Sequence, residues 1–425
     1  MIINVPSEYP TIQAAIYAAN VGDEVVIAPG TYYEQNLKFH GKAIVVRGSN
    51  PQDNSVVDAT IVHGNGTLPV FNLYSNETPD SVIRGLTITS DEAAEPRIFG
   101  GGIDLYEASP TIEYCHITGN RAMYGGGICT YLSMAHIHHN RIKNNHATLV
   151  GGGIHASESS VTIEHNHIAD NIGELYGGGA HILDTIQSSS VLYNYIHHNT
   201  SDLGGGLYIA GQQQSRVENN VICHNLEGEP GECELPMGGG VYLYNHSGTF
   251  INNTVSHNSS EMGGNVLVKG AIVPDMRNCI ITFSTRGSGV CSYQGDLKLR
   301  YCNVYGNAED NYQMVDGTIS MEGPMSEDPL FHDPDNDDFH LQSISGRWDP
   351  VTRSWVSDVA SSPCIDAGDA ASDFSNEPMG NGARINMGAY GNTAEASKSP
   401  ATLIIWIIRL ILYYLIRIFR AVIPG

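Results

Sequence analysis

The stretch IHHNRIKNNHATLVGGGIHAS at residues 137–157 is followed by IEHNHIADNIGELYGGGAHIL at residues 163–183. The two align without a gap. In each, an apolar residue recurs at the first and sixth positions, Asn at the fourth and ninth, and a glycine triplet precedes a short alternating segment. The apolar residues after such Gly-rich tripeptides are Ile103, Ile128, Ile154, Ala180, Leu207, Val241, Val266 and Val290, spaced by 25, 26, 26, 27, 34, 25 and 24 residues. The long interval contains LEGEPGECELP at 226–236, a loop inserted into one repeat.

The Asn-bearing pattern runs in phase from IEYCHITGN at Ile112 to LRYCNVYGN at Leu299. Alternation with turns at Gly and Asn predicts two or three short strands per repeat, without helical periodicity. A 25-residue unit of this kind cannot bury its own apolar residues, but stacked units build a continuous core. Strands in successive coils then lie parallel, about 4.8 Å apart, and equivalent side chains form ladders. Asn140, Asn166, Asn194, Asn220 and Asn253 are one such ladder. Asn is expected there because it tolerates left-handed backbone and its amide bonds the coils above and below. Cys115, Cys279 and Cys302 occupy the same column as small buried thiols.

The expected fold is all-β, a single right-handed parallel β-helix of about eleven coils. Residues 1–24 form an N-terminal cap, with Ile12, Ala15, Ile16 and Ala19 on one helical face. Residues 25–398 form the solenoid, with a closing segment from about 325.

The N-terminal VPSEYPTIQAAIYAANVGDEVVIAPGTYYEQ, with the C-terminal DPLFHDPDNDDFHLQS, SPCIDAGD and NGARINMGAYGNTAEASKS, resembles the pectin-lyase-like superfamily of right-handed parallel β-helix proteins. The likeness covers about residues 1–398. It implies fold and leaves activity open, because lyases, hydrolases, epimerases and non-enzymes share it. A polygalacturonase-like enzyme would show NTD, paired-Asp and GHG segments, and the chain has none of them. The RIK at Arg141–Lys143 is explained by its place in the ladder.

With 45 acidic and 21 basic residues the formal charge is −24, which repels phosphate backbones and excludes nucleic acid as a partner. Function is expected on the face built after each glycine triplet. Its first outward column reads Asp104, Cys129, His155, His181, Tyr208, Tyr242, Leu267 and Cys291. The second reads Tyr106, Tyr131, Ser157, Leu183, Ala210, Tyr244, Lys269 and Tyr293. A polysaccharide laid along this face would stack on Tyr106, Tyr131, Tyr208, Tyr242 and Tyr244, with Lys269 beside them. Asp104, His155 and His181 would supply acid-base chemistry.

Polysaccharide binding is the leading expectation. A polysaccharide lyase or glycoside hydrolase on the same face, and a structural spacer, are the alternatives. A lyase needs a cation to neutralise the uronate, and the face offers only Lys269.

No cofactor is required. Asp333, Asp335 and Asp337 are the candidate calcium ligands, spaced like a calcium loop without its glycine or distal Glu, with a simple turn as the competing reading. His198, His224 and His257 form a second ladder, read as a solvated turn. Cys223 and Cys233 flank the inserted loop, and a disulfide or two thiols fit equally.

Residues 402–423, TLIIWIIRLILYYLIRIFRAVI, contain no acid, Gly or Pro. They are expected to form a helix that spans the membrane or lies in its headgroup region, with an Arg/Tyr stripe on one side. The chain opens without a signal peptide. The expected location is extracellular or at the cell surface, tethered by the C-terminus.

Overall fold

In the computed structural model, described for residues 1–399 except 93–95, 185–186 and 229–235, the short alternating segments become strands of three long parallel sheets. The first holds 13 strands, from Ile2–Val5 to Thr318–Glu322. The second holds 11, from Gly30–Tyr32 to Asn303–Tyr305, and the third 10, from Phe71–Leu73 to Tyr312–Val315. A fourth, small sheet joins Arg121–Tyr124, His146–Val150 and Ile172–Gly173. The chain is thus an all-β parallel β-solenoid of about 12 turns, as the repeat count predicts.

Through the middle of the solenoid each coil contributes one strand to each of the three sheets, in strict register. Ile137 pairs with Ile163 and Ile163 with Val191 in the first sheet, while Ile142, Ile168 and Ile196 align in the second. All are buried to 1% exposure or less. Such a side chain stabilises the fold by roughly 1.5–3 kcal/mol.

The cap differs in detail from expectation, because Ile2–Val5 already heads the first sheet, paired with Glu24–Ile27. The helix Ile12–Ala18 buries Ile12, Ala15 and Ile16. Its free N–H groups are met by Thr11 Oγ1 and by the Glu34 carboxylate, which accepts from Ile12 N at 2.6 Å and Gln13 N at 3.0 Å. A carboxylate there also complements the helix dipole. A second short helix, Asn54–Ala59, is capped by Asp53 and has no counterpart in the sequence reading.

The Asn ladder is buried and fully bonded. Asn140 Nδ2 donates to Asn166 Oδ1 at 3.0 Å and to Ile112 O, while Asn166 Oδ1 also accepts from Asn140 N. Asn166, Asn194 and Asn220 repeat the pattern, and Asn253 ends the ladder, accepting from Asn220 and donating to Val217 O. Both amide hydrogens and both lone pairs of an interior rung are used, so the buried amides cost no unpaired group. The left-handed residue is the one before each position of this column, Cys115 included: Tyr114, His139, His165, Tyr193, Asn219 and Asn252 have φ of 53–56°. That turn points the following Asn inward, which corrects the expectation that Asn itself is left-handed.

A second ladder runs Asn120, Asn145, Asn171, Asn199, Asn225 and Asn258. In the next coil the Asn position is Ser284, and Asn265, standing where other repeats have the third glycine, fills the gap. It accepts from Asn258 Nδ2 at 2.9 Å and donates to Asn307 Oδ1 at 2.8 Å and to Thr282 O.

Internal contacts divide the chain into two units, Met1–Ser326 and a second from Glu327 onward. The second contains the antiparallel hairpin Phe331–Asp333/Asp338–Leu341. Asp335 lies in the 3₁₀ turn Pro334–Asn336 between these strands, Asp337 caps it, and Asp333 accepts from Asn336 Nδ2. The three carboxylates do not all lie within 4.8 Å of one another. Among the described residues no helix is long and apolar enough to cross a membrane, and residues 402–423 lie outside them.

Restoring the repeat's usual glycine, Asn265→Gly, is expected to destabilise the chain by roughly 1–3 kcal/mol, because Asn258, Thr282 and Asn307 lose partners. Thermal denaturation measures it, and an unchanged or higher midpoint would contradict the ladder.

Candidate functional site: the face after the glycine triplets

Each glycine triplet lets the chain turn where a side chain would collide. Gly151 has φ +70°, and a Cβ there would lie 2.5 Å from Ile154 O; at Gly152 one would lie 2.5 Å from Gly178 O of the next coil. The following strand, Ile154–Ser157, then points Ile154 and Ala156 into the core and His155 and Ser157 outward.

The first outward column is in register as expected: Asp104, Cys129, His155, His181, Tyr208, Tyr242, Leu267 and Cys291 pair rung by rung. It is not an open face. His155 is 7% exposed, His181 6%, Tyr208 9% and Tyr242 3%.

The cover is the residue before each triplet. Phe99, Tyr124, Val150, Tyr176, Leu203, Met237 and Met262 bridge from coil to coil as a ladder of their own. Tyr176, Leu203, Met237 and Met262 pack on Tyr208, Tyr242, Leu267 and Cys291 as a second apolar cluster outside the main core. Tyr208 and Tyr242 therefore cannot stack on a sugar.

Beneath this cover the rings pile up. Centroids are 5.0 Å apart between His155 and His181, His181 and Tyr208, and Tyr208 and Tyr242. His155 Nδ1 and His181 Nδ1 lie 3.0 Å apart, so one ring donates its Nδ1 proton and the other accepts. Burial pushes His155 down to about 4, and burial with the neighbouring His155 pushes His181 well below the usual imidazole range. Both are neutral near pH 7.

Asp104 is not brought to these histidines. Cys129 separates it from His155, a distance of two rungs or about 10 Å. Its partner is Arg97, which the sequence reading missed: Nη2 lies 3.7 Å from Asp104 Oδ2. Burial raises the Asp104 carboxyl to about 6 against the opposing pull of Arg97. Burial also lowers Arg97 to about 10, and its Nη1 is buried with no hydrogen-bond partner among the described residues. Arg97 sits in the non-repeating segment between Ser90 and Gly100. The one available signal was its distance from the first triplet, three residues before Gly100.

The second outward column is the exposed one, in two places. Tyr106 is 50% and Tyr131 40% exposed, with rings stacked at 5.6 Å. Tyr74, exposed at the end of the preceding strand, has Lys38 Nζ 4.8 Å over its ring. Then come Ser157, Leu183 and the buried Ala210. Beyond them lie exposed Tyr244 and half-buried Lys269, whose Nζ is 4.7 Å from the Tyr293 ring.

Elsewhere, the thiols of Cys115, Cys279 and Cys302 are buried in the Asn column as expected, and burial raises Cys115 to about 12. Cys233, and with it any pairing to Cys223, lies outside the described residues.

Residues 185–368 match a family described as "Disaggregatase related". Among solved structures the chain is similar to the catalytic domain of a GH87 α-1,3-glucanase in complex with nigerose. The identity is 12%, over 77% of this chain and 68% of that one, with a TM-score of 0.34. No curated protein matches.

The buried histidines set a pH dependence. Their folded pKa values lie below the unfolded value, so between pH 6.5 and about 4 the unfolded chain binds more protons and stability falls as pH falls. The cost for His155 alone is on the order of 3 kcal/mol by pH 4. Replacing both by Phe should flatten the pH dependence of the urea midpoint over that window. A slope equal to wild type would contradict burial of the pair.

Proposed function

We propose that the chain binds polysaccharide along the second outward column, at the N-terminal coils around Tyr106 and Tyr131. The observation that carries this reading is the stacked, half-exposed Tyr106–Tyr131 pair on a rigid sheet. Apolar rings so exposed stack on sugar faces, while the neighbouring Asp104 and Arg97 offer hydrogen bonds to hydroxyls. The ladder repeat of about 4.8 Å is close to the length of one sugar ring, so a linear chain can follow the column.

Tyr244, with Lys269 and Tyr293 beyond it, makes a second platform four rungs from Tyr131, about 19 Å along the axis. A glycan of about six units or more reaches both and gains from the second contact without a second association cost. Surface attachment through residues 402–423 belongs with this proposal and rests on the sequence of that segment alone.

Hydrolysis or elimination at Asp104 is the second reading, favoured by one observation. A carboxyl raised to about 6 is matched to proton donation near neutrality. Hydrolysis by the usual route also needs a second carboxylate facing the scissile bond, whereas the neighbours of Asp104 in its column are Asn72 and Cys129. Binding therefore leads.

The test is affinity electrophoresis and calorimetry of the full chain on linear glucans and uronans of graded length. Tyr106→Ala with Tyr131→Ala should weaken binding about tenfold or more, while Tyr208→Phe should leave it unchanged. Affinity should step up once the oligomer reaches about six units, and Tyr244→Ala should remove the step. Binding that is indifferent to the Tyr106/Tyr131 substitutions would falsify the proposal.

A further inference from the structure

The first column of buried asparagines gives way, in its last two coils, to thiols. Amides tie each coil to the next from Asn140 to Asn253, and Cys279 and Cys302 take the same place in the coils that follow. Register holds on both sides of the turn. Arg277 pairs with Arg300 and Ile280 with Asn303, so Cys279 and Cys302 stand on adjacent rungs. The residues before them, Asn278 and Tyr301, are both left-handed, with φ of 55° and 49°. Both thiols therefore point inward, and each approaches the carbonyl two residues earlier, Arg277 O at 3.2 Å and Arg300 O at 3.4 Å. The backbone of this turn is held from coil to coil, because Asn278 N donates to Arg300 O at 3.1 Å and Asn303 N to Cys279 O at 2.9 Å. Among the described residues this is the one pair of cysteines that the register stacks. The rung neighbours of Cys129 are Asp104 and His155, those of Cys223 are His197 and Ser256, and those of Cys291 are Leu267 and Gln313. Cys115 is followed in its column by Asn140, and Cys364 lies in the second unit.

We propose that Cys279 and Cys302 form a disulfide that staples the last coils of the solenoid. In-register parallel neighbours have Cα atoms about 4.8 Å apart, inside the roughly 4.4–6.8 Å that a disulfide spans. Turning the two side chains toward each other inside the column closes the bond. The place is one where a covalent tie has most to add. A thiol has one hydrogen to donate where an amide has two, so the side-chain tie between coils weakens after Asn253. The second sheet also ends here, at Asn303–Tyr305, and terminal strands open first. The oxidant is a small-molecule disulfide of the glutathione class. One cysteine thiolate attacks it, forming a mixed disulfide and releasing one thiolate. The other cysteine then attacks the protein-bound sulfur and releases the second. Two protein thiols are oxidised, the oxidant is reduced to two thiols, and the two protons end on those thiols. In the closed coil, burial together with the neighbouring Cys302 holds the Cys279 thiol well above its ordinary range. Exchange therefore runs while the last coils are open, during folding, and the closed stack then shields the bond from external reductant.

The test is to refold the reduced, urea-unfolded full-length chain in a glutathione redox buffer, alkylate the remaining thiols and map the peptides by mass spectrometry. Most chains should yield a linked Cys279–Cys302 peptide, lighter than the reduced pair by the two lost hydrogens. Cys115, in the same column without a thiol neighbour, should be recovered alkylated or joined to glutathione. The folded, oxidised chain should keep the link in dithiothreitol and lose it once urea is added. Hydrogen exchange of the amides in Asn303–Tyr305 should be about tenfold or more slower in the oxidised chain than in the reduced one. In Cys302→Ala the redox buffer should leave that exchange unchanged. The peptide map and the exchange comparison need only the wild-type chain, so they decide if the variant does not fold. Absence of the linked peptide after refolding, pairing of either cysteine with another in its place, prompt reduction of the folded chain, or equal exchange in the two redox states would each overturn the staple.

Discussion

Everything in this molecule depends on each coil finding its hydrogen-bond partners in the next. In residues 1–326 the strands pair only with equivalent strands one rung away, and two columns of buried asparagine amides do the same with side chains. A buried amide left without a partner costs about 1–3 kcal/mol, so a coil cannot slip by one residue without orphaning several groups at once. That constraint explains why the spacing stays between 24 and 27 residues wherever no loop is inserted. It also explains Asn265, which supplies the amide that Ser284 does not. The end of such a stack is a problem of the same kind, met at the N-terminus by a helix that buries Ile12, Ala15 and Ile16.

Because backbone register is fixed, surface chemistry comes in columns too. The column that carries Asp104, His155, His181 and Tyr208 is continuous in sequence and in space, yet the ladder from Phe99 to Met262 lies across it and turns its middle into a second core. What remains for a ligand is the neighbouring column, where Tyr106 and Tyr131 stay half exposed, with Asp104 of the first column beside Arg97 at the same end. The net charge of −24 lies over the whole chain, so the few cations near this face, Arg97, Lys38 and Lys269, carry disproportionate weight locally.

The fold was legible because its cause is periodic. Gly triplets, apolar positions and Asn positions repeat in phase, and the register of Ile137, Ile163 and Val191 follows from counting. The site was legible only in part. Alternation correctly separates His155 from Ile154, but it reports direction and says nothing of what lies above an outward side chain. Here the cover comes from residues that precede the glycines, such as Tyr176 and Leu203, whose φ/ψ context only the folded coil reveals. Arg97 escaped for the opposite reason: it lies in a segment that does not repeat. The left-handed turn position escaped because His and Tyr, not Asn or Gly, occupy it at residues 139, 165 and 193.

The most direct test of this account is hydroxyl-radical footprinting of tyrosines in the full chain, free and saturated with a long linear glycan to which it binds. The account predicts that Tyr106, Tyr131 and Tyr244 react in the free chain and are protected by the glycan. Tyr208 and Tyr242 should be unreactive in both states. Reaction at Tyr208 in the free chain, or glycan protection that leaves Tyr106 and Tyr131 exposed, would contradict it.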